Sequence, residues 1–262
     1  MGARRVTPAP RTGAQSLVIV PTYNESESIR SIISRIRTAV PDADVLIVDD
    51  ASPDGTGAIA DELARQDASV SVLHRPGKEG LGSAYLAGFA RAAERGYTWV
   101  VEIDADGSHD PAELLGMLTL AHESGAALII GSRWVPGGSV VNWPWLRQAI
   151  SRSGNAYARW MLGSRIRDIT AGFRVFRVAA LAGLDRAHVT SQGYCFQVEV
   201  AWRLEQSGLA VREYPIAFVE RASGRSKMHT GIVVEALGRI TAWGIASGRG
   251  RRPLTRWGVE RA

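Results

Sequence analysis

The sequence predicts an α/β fold built on a doubly wound, mostly parallel sheet. Short apolar segments alternate with amphipathic segments over residues 16–133, and this alternation is typical of parallel strands joined by helices. The apolar segments also end in polar residues, and in such sheets ligands bind beyond the carboxyl ends of the strands. A chain of 262 residues, of which 45% are hydrophobic and 22% charged, can bury a core of this kind.

The first strand is predicted from an apolar run over residues 17–20, which is typical of a strand buried on both faces and which Pro21 should stop. Asn24 can cap the following helix, with Glu27 three residues later as in a capping box. The helix itself is predicted from apolar residues at helical spacing, namely Ile29, Ile32, Ile33, Ile36 and Val40.

The same alternation continues to residue 133. Strands are predicted over residues 43–50, 70–75, 97–104 and 126–133, and helices over residues 57–66, 84–94 and 112–123. Beyond residue 133 the pattern is looser, and we expect a helix near residues 194–207 and a strand near residues 210–218.

The C-terminal region should form an amphipathic helix over residues 231–247, with Glu235 and Arg239 opposite its apolar residues. This helix either packs against the body of the protein or lies on a membrane or a membrane subunit. The expected organisation is a basic N-terminal tail (1–13), a main α/β domain (14–230), the amphipathic helix (231–248) and a basic C-terminal tail (249–262).

The net charge of +5 is concentrated at the two ends of the chain. Without the two tails the chain has a net charge of −2, so we expect no nucleic-acid-binding surface on the body. The tails could contact an anionic membrane or act as solubilising ends.

The single cysteine, Cys195, excludes a disulfide scaffold and a multi-cysteine metal site. No uninterrupted run of about 18 apolar residues predicts a membrane-spanning helix, and no signal peptide is evident.

The predicted strand exits carry an unusual number of polar side chains. They are Pro21-Thr22-Tyr23-Asn24-Glu25, Asp49-Asp50, His74-Arg75 and Asp104-Ala105-Asp106. A core needs none of them, so the pattern indicates a binding site at one edge of the sheet.

Asp104 and Asp106 flank a single small residue, so both carboxylates could converge on one cation. Mg²⁺ and Mn²⁺ are hard ions that take carboxylate, phosphate and water oxygens. A lone D-x-D pair is more often two acids of a surface turn, but the other polar strand exits favour the metal interpretation. Two other kinds of ligand site, for a dinucleotide and for a nucleoside triphosphate, are disfavoured because their motifs are missing. The chain has neither a G-x-G-x-x-G dinucleotide motif after its first strand nor a Walker loop.

A set of motifs spread over residues 17–228 resembles the family 2 glycosyltransferases of the GT-A fold. The motifs are PTYNE, VDDASPDGT, KEGLGSAY, DADGSHDP, GSRW, DITAGFRVF, YCFQVEV and RASGRSKM. SPDGT, GFR and the final R-x-x-G-x-S-K narrow the resemblance to the dolichol-phosphate and polyprenol-phosphate mannose synthases. The arginine-rich composition points to actinobacterial members of this group.

The resemblance implies roles for individual residues. The nucleotide-sugar pocket would be formed by Pro21, Tyr23, Glu25, Val48, Asp50, Asp104, Ala105, Asp106, Arg133, Arg221 and Lys227. Asp104, Asp106 and Ser108 would hold the metal, and Asp106, Arg221 and Lys227 would form the catalytic group. Asp54 and Lys78 lie in matching motifs but rank lower. As alternatives, Pro21 could simply end a strand, and the three basic residues could be surface ion pairs.

Ser108 departs from the family pattern, because relatives often carry a glutamine metal ligand at this position. A serine hydroxyl is shorter and a weaker ligand, so water, His109 or Asp110 could fill the gap, or metal affinity could fall.

The resemblance also implies that Arg147 and Ser151 bind the acceptor phosphate. Nearby Trp143 and Trp145 suit a membrane interface, although they could instead be buried loop anchors.

The implied reaction is metal-dependent, inverting transfer of mannose from GDP-mannose to a polyprenyl monophosphate, with Mg²⁺ or Mn²⁺. A phosphate monoester is already a nucleophile at neutral pH, since its second pKa is about 6, so no strong base is required. Alternatives are a sugar-hydroxyl transferase, a polyprenyl-phosphate glucosyltransferase that uses UDP-glucose, and a non-catalytic nucleotide-sugar-binding subunit. The implied lipid substrate predicts a peripheral location at the cytoplasmic face of a membrane, on the bilayer or on a membrane-embedded subunit.

Overall fold

The computed structural model describes residues 13–183, 194–220 and 230–248. Within these residues the strands are β1 (Ser16–Thr22), β2 (Asp44–Asp49), β3 (Val70–His74), β4 (Trp99–Glu102), β5 (Leu128–Ser132), β6 (Ser139–Val141), β7 (Arg174–Arg177), β8 (Val211–Pro215) and β9 (Ala217–Val219). The helices are α1 (Ile29–Ala39), α2 (Thr56–Gln66), α3 (Leu81–Glu94), α4 (Glu113–Ser124), α5 (Trp145–Leu162), α6 (Val178–Ala182), α7 (Tyr194–Gln206) and α8 (Thr230–Ala246).

Seven strands form one twisted sheet in the order β3-β2-β1-β4-β7-β5-β8. All neighbours are parallel except β7, which lies antiparallel between β4 and β5. The chain therefore winds from β1 towards one edge of the sheet and then crosses to the other. The predicted α/β, doubly wound, mostly parallel fold is confirmed. The short strands β6 and β9 form a second, two-stranded sheet.

The core lies in two layers, one on each face of the sheet. Alternate residues of β1 feed the two layers, since Leu17 and Ile19 point to one and Val18 and Val20 to the other. Helices α1 and α4 pack on the second face, while α3, α5 and α7 pack on the first. Because both faces are covered, the central parts of β1, β2 and β5 are apolar on both sides.

Two predictions about the first strand and helix are wrong. Pro21 does not stop β1, which runs on to Thr22. Because β1 pairs with β4 only as far as Ile19, Pro21 lies where the strand has a single neighbour, and proline is tolerated there. Asn24 does not cap α1, which begins at Ile29 after Ser28. Asn24 instead adopts a left-handed conformation (φ 60°) in the preceding turn.

The region after residue 133 contains elements that the sequence pattern did not indicate, namely β6, α5, β7 and α6. β7 has only four residues and an arginine at each end, so it lacks a strand-like apolar run. The predicted strand over residues 210–218 is two strands in different sheets, β8 and β9, separated at Ile216.

The C-terminal helix α8 packs on α5 and α7, which is the first of the two predicted alternatives. Ile240 is buried, the Trp243 ring stacks on Trp202 with centroids 6.0 Å apart, and the hydroxyls of Tyr157 and Thr241 lie 2.6 Å apart. Among the helices that the structure describes, none combines the length and apolar character needed to cross a membrane. Apart from Gly13, which is buried, the two predicted tails lie outside the described residues.

Candidate active site

The polar strand exits do meet at one edge of the sheet, because β2, β1 and β4 are adjacent and parallel. The backbone N–H of Asp50 donates to the Thr22 carbonyl over 3.1 Å, and the Thr22 hydroxyl donates to the Asp49 carboxylate over 3.0 Å. The exits of β1 and β2 are thus held together by hydrogen bonds within the protein itself.

The turn after β1 is held by side chains of the loop after β2. Backbone N–H groups of the turn donate to the Ser52 hydroxyl (from Asn24, 3.1 Å), the Thr56 hydroxyl (from Glu25, 2.9 Å) and the Asp54 carboxylate (from Ser26, 3.0 Å). These bonds, rather than a capping box, satisfy the donors ahead of α1. The predicted pocket residues Tyr23 and Glu25 and the lower-ranked Asp54 therefore lie in one connected pair of loops.

Asp54 is the residue that ties these loops together. Its carboxylate also accepts from the backbone N–H and the hydroxyl of Thr56, over 3.0 and 2.6 Å. Burial alone would raise the pKa of the Asp54 carboxyl, but the hydrogen bonds from Thr56 and Ser26 together outweigh it and lower the pKa to about 2.

Two further cations line the same edge. The Lys78 ammonium lies 4.0 Å from the centroid of the Tyr23 ring, a cation–π distance. Arg75 donates to the Asp50 carboxylate over 2.6 Å and also contacts Glu79. Burial raises the pKa of the Asp50 carboxyl, and Arg75 acts against that shift. No role was predicted for Arg75, although its position at the exit of β3 could have indicated that it belongs to the site.

The Asp104-Ala105-Asp106 turn forms the centre of the candidate site. The Tyr85 hydroxyl donates to an Asp104 carboxylate oxygen over 3.2 Å. The backbone N–H of Ser108 donates to an oxygen of Asp106 over 3.0 Å, and the Ser108 hydroxyl donates to the same oxygen. Ala105 is buried in the core layer that contains α1 and α4. The turn is therefore anchored at its centre and oriented by hydrogen bonds at both acids.

The donor set suits a hard divalent cation. Two carboxylates separated by one residue supply oxygen ligands, and Mg²⁺ commonly binds through one or two carboxylates together with substrate phosphates and water. Over the described residues no group of three or more His, Cys, Asp and Glu side chains is placed to hold a metal, so the remaining ligands would come from substrate and water. The hydroxyl of Ser108 is engaged with Asp106, and its role as a metal ligand stays a prediction.

Behind this turn, a glutamate and an arginine are buried close to each other. Glu102, the last residue of β4, is fully buried, and burial raises the pKa of its carboxyl to about 8, although Arg174 acts in the opposite direction. Arg174 is also fully buried and donates to the carbonyls of Ala171, Gln197 and Ile169, each over 2.7 Å. Arg174 thereby joins β7, α7 and the loop 168–172 beside Asp104.

Arg133, a predicted phosphate contact, is paired with a carboxylate. Its guanidinium donates to both oxygens of Asp168 over 2.6 and 2.7 Å and to the Thr170 hydroxyl over 3.1 Å. The Arg133 guanidinium carbon also lies 5.5 Å from the ring centroids of Trp143 and Phe218. The ion-pair alternative therefore describes Arg133 in this structure, although the pair is largely buried. Its phosphate contact stays a prediction, and Asp168 is a partner that the sequence did not indicate.

The predicted acceptor residues lie on α5. Arg147 forms an ion pair with Glu220 and lies 4.1 Å from the centroid of the Trp143 ring. Ser151 is one helical turn further along α5. Trp143 is half-buried, as the anchor alternative expected, whereas Trp145 is 77% exposed. The acceptor-phosphate role of Arg147 and Ser151 stays a prediction.

The short strand β9 connects the region around Arg147 with the Asp104-Ala105-Asp106 turn. The backbone N–H of Val219 donates to the Ser108 carbonyl over 3.1 Å, and His109 forms a β-bridge with Phe218. β9 therefore runs from the Asp106 turn to Glu220, beside Arg147. The predicted residues Arg221 and Lys227 follow directly but lie outside the described residues.

Pro21 and Val48 lie side by side in paired strands, at the level where β1 and β2 end. Val48 is fully buried, whereas Pro21 is partly exposed at the edge of the sheet. The structure thus brings most of the predicted donor-pocket residues to one edge, from β1, β2 and β4.

Comparison with known proteins agrees with this geometry. Residues 17–184 match the model of glycosyl transferase family 2. The chain is 51% identical over 252 residues to a polyprenol monophosphomannose synthase from Mycolicibacterium smegmatis, covering 96% of this chain and 93% of the relative. It is 52% identical over 231 residues to an undecaprenyl-phosphate mannosyltransferase from Micrococcus luteus, covering 88% of this chain and 94% of the relative. The predicted resemblance is confirmed.

Solved structures share the fold at lower identity. A mannosyltransferase from Pyrobaculum calidifontis, solved with GDP-Man and Mn²⁺, is 18% identical with a TM-score of 0.57, covering 89% of this chain, which spans 64% of that protein. A glucosyl-3-phosphoglycerate synthase from Mycobacterium tuberculosis, solved with Mn²⁺ and UDP-glucose, is 21% identical with a TM-score of 0.60, covering 94% of this chain and 83% of its own. With its GT-A fold and its family match, the chain belongs to glycosyl transferase family 2 and is a glycosyltransferase.

Proposed function

We propose that this enzyme transfers mannose from GDP-mannose to a polyprenyl monophosphate, with inversion at the sugar carbon and with Mg²⁺ or Mn²⁺. The observation that carries the proposal is the identity of about half of all residues with two relatives, both named for mannose and a polyprenyl phosphate. The Pyrobaculum calidifontis mannosyltransferase of the same fold was solved in complex with GDP-Man, which supports GDP-mannose as the donor here.

Asp104 and Asp106 would hold the cation, which would supply Lewis-acid stabilisation of the negative charge that develops on the leaving diphosphate. The protein's own part is to keep both carboxylates oriented. Tyr85 does so for Asp104 and Ser108 for Asp106. Arg221 and Lys227 would add cationic stabilisation of the leaving diphosphate.

The acceptor supplies the nucleophile. An oxygen of the polyprenyl phosphate would form the new bond to C1 of mannose as the bond from C1 to the diphosphate breaks and GDP leaves. No proton needs to be removed from an ionised phosphate oxygen, so alignment and charge stabilisation would account for the catalysis. Arg147 and Ser151 would position this phosphate, with attack from the face opposite the diphosphate.

Exposed apolar side chains on α5 support the use of a lipid acceptor. Helix α5 exposes four large apolar side chains to solvent: Trp145, Leu146, Ile150 and Trp160. We propose that the enzyme works peripherally at the cytoplasmic face of a membrane, with α5 next to the bilayer or to a membrane-embedded subunit.

The test is a transfer assay with radiolabelled GDP-mannose, decaprenyl phosphate and either Mg²⁺ or Mn²⁺, with UDP-glucose as a competing donor. Asp106→Asn should lower turnover more than about 100-fold, since it removes a charged metal ligand. Asp42→Asn is the matched control, because Asp42 is exposed and precedes β2, at the opposite end of that strand from the candidate site. Full activity in the presence of a chelator would contradict the metal assignment.

The same assay separates the alternatives. Preferred use of UDP-glucose would replace the proposal with a polyprenyl-phosphate glucosyltransferase. GDP-mannose binding without any turnover, across both metals and several acceptors, would favour a non-catalytic subunit.

A further inference from the structure

A cavity of about 280 Å³ lies beside α5, outside the donor pocket. Four of its lining residues occur at i, i+3, i+4 and i+7 on α5 and therefore share one side of the helix. The lining consists of Trp134, Arg152, Asn155, Ala156, Arg159 and Arg167. Three of these six residues are arginines, and the lining contains no acidic residue.

The three arginines differ from those of the active site. Arg75, Arg133 and Arg147 each pair with a carboxylate. In the part of the chain that the structure describes, no carboxylate forms an ion pair with any arginine of this cavity. Three cations around one concave surface repel one another, so an anion bound between them would be stabilised.

The remaining lining residues give the cavity a fixed wall. Asn155 is only 2% exposed, and its side-chain amide donates to the Ser151 carbonyl over 3.0 Å and to the Thr170 hydroxyl over 3.1 Å. The face of the Trp134 ring lies 4.6 Å from the Arg152 guanidinium, which holds that cation in place. The indole N–H of Trp134 is buried without a hydrogen-bond acceptor among the described residues.

We propose that this cavity binds a phosphate-bearing anion at a site separate from the one that holds the donor's diphosphate. Guanidinium groups present paired N–H donors that match phosphate oxygens, and here three of them converge without an internal partner. Ser151 and Asn155 lie on successive turns of α5, so the cavity is next to the predicted acceptor residues. Its lining does not include Arg147, which forms an ion pair with Glu220.

The phosphate could belong to a lipid headgroup or be free in solution. The lipid source fits the surroundings, because Trp160 and Ile150 on the same helix are 66% and 50% exposed. Arg152, Arg159 and Arg167 are themselves exposed, so a headgroup at a bilayer surface could reach them. The proposal does not depend on which sugar donor the enzyme uses.

The test uses the full chain with Arg159→Gln and Arg167→Gln combined. The matched control combines Arg65→Gln and Arg212→Gln, which removes two exposed arginines elsewhere and changes the net charge equally. Both double variants should keep the wild-type melting temperature within a degree or two, because all four side chains are exposed.

Inorganic phosphate binding is measured by calorimetry, and membrane binding by sedimentation with phosphatidylglycerol or phosphatidylcholine vesicles. The cavity variant should bind at least one phosphate source about tenfold more weakly, and the control variant should change less than twofold. Weaker binding of inorganic phosphate assigns the site to a free anion, and weaker binding of phosphatidylglycerol vesicles alone assigns it to a lipid headgroup. Equal losses in both double variants, or no loss in the cavity variant, would overturn the proposal.

Discussion

At the scale of single residues, carboxylates and arginines of this site are oriented by partners within the protein. Asp50 is held by Arg75, Asp168 by Arg133 and Glu220 by Arg147. Such pairs cost desolvation energy when buried, yet they fix side chains that would otherwise sample several rotamers. The site is therefore largely preorganised before substrate arrives.

Asp54 should make a pH-dependent contribution to stability. Its pKa is about 2 in the folded state, below the ordinary value of 3.8, so the stabilisation is present above pH 3.8 and is lost as the pH falls towards 2. Asp54→Ala should lower the free energy of unfolding by about 1 kcal/mol at pH 7, a value discounted for the exposure of the carboxylate. Urea unfolding of both proteins at pH 7 and pH 2.5 checks this, and a difference that does not shrink at low pH would contradict it.

The pair between Arg147 and Glu220 should affect use of the lipid acceptor. Arg147→Ala should raise KM for the lipid phosphate about tenfold while leaving GDP-mannose binding nearly unchanged, because one charged hydrogen bond to phosphate is lost. Glu220→Gln should lower that KM severalfold, since the guanidinium no longer shares a carboxylate. Steady-state kinetics with each substrate varied separately distinguish the effects. A loss of nucleotide affinity in Arg147→Ala would show that Arg147 serves the donor instead.

At the scale of secondary-structure elements, α8 is held against α5 by close contact between their backbones. A Cβ atom at Gly244 would lie 2.5 Å from the carbonyl oxygen of Met161, whereas one at Gly238 on the same helix would meet nothing within 4 Å. Only glycine therefore fits at position 244 without moving the helix away. The predicted amphipathic pattern found the helix but not the position of this contact.

These two glycines give a matched pair of variants. Gly244→Ala should destabilise the protein by about 1–3 kcal/mol through overpacking. Gly238→Ala should instead stabilise it by up to about 1 kcal/mol, because alanine has the higher helix propensity. Thermal unfolding of both variants tests the prediction, and similar melting temperatures for the two would mean that α8 is not closely packed on α5.

At the scale of the whole molecule, Arg174 joins the two halves of the fold. It lies on β7, the one antiparallel strand of the main sheet, and its three hydrogen bonds reach the loop 168–172 and α7. Its charge also faces Glu102 at the end of β4. β7 is paired along its length with β4, the strand that leads into Asp104 and Asp106, and the Arg174 side chain adds bonds from this pair of strands to α7 and the loop 168–172.

Arg174→Met should destabilise the protein by about 3–5 kcal/mol, because three carbonyls and a buried acid lose their cationic partner. Arg212→Met is the control, since Arg212 is exposed on β8 and its replacement should change stability by no more than about 0.5 kcal/mol. Urea unfolding gives both values. A loss below about 1 kcal/mol for Arg174→Met would show that neighbouring groups or water replace its hydrogen bonds.

The sequence by itself determined the parallel half of the fold and the edge of the sheet at which the polar residues of the candidate site meet. Both features follow from local patterns in the sequence, namely the spacing of apolar residues and the polar residues at the ends of the strands. Apolar runs define β1 to β5, and the acids at strand ends, such as Asp50, Asp104 and Asp106, must then meet at one edge. The family motifs additionally predicted which residues form the pocket, which local patterns alone do not indicate.

The tertiary structure alone decided the partners. Three associations join residues from different elements: Arg133 with Asp168, Arg147 with Glu220, and Arg167 with the two cavity arginines of α5, Arg152 and Arg159. The antiparallel insertion of β7 is equally non-local, because its four residues become a strand only between β4 and β5. Such pairings depend on burial and on distances across the fold, and the order of residues along the chain does not encode them in a local pattern.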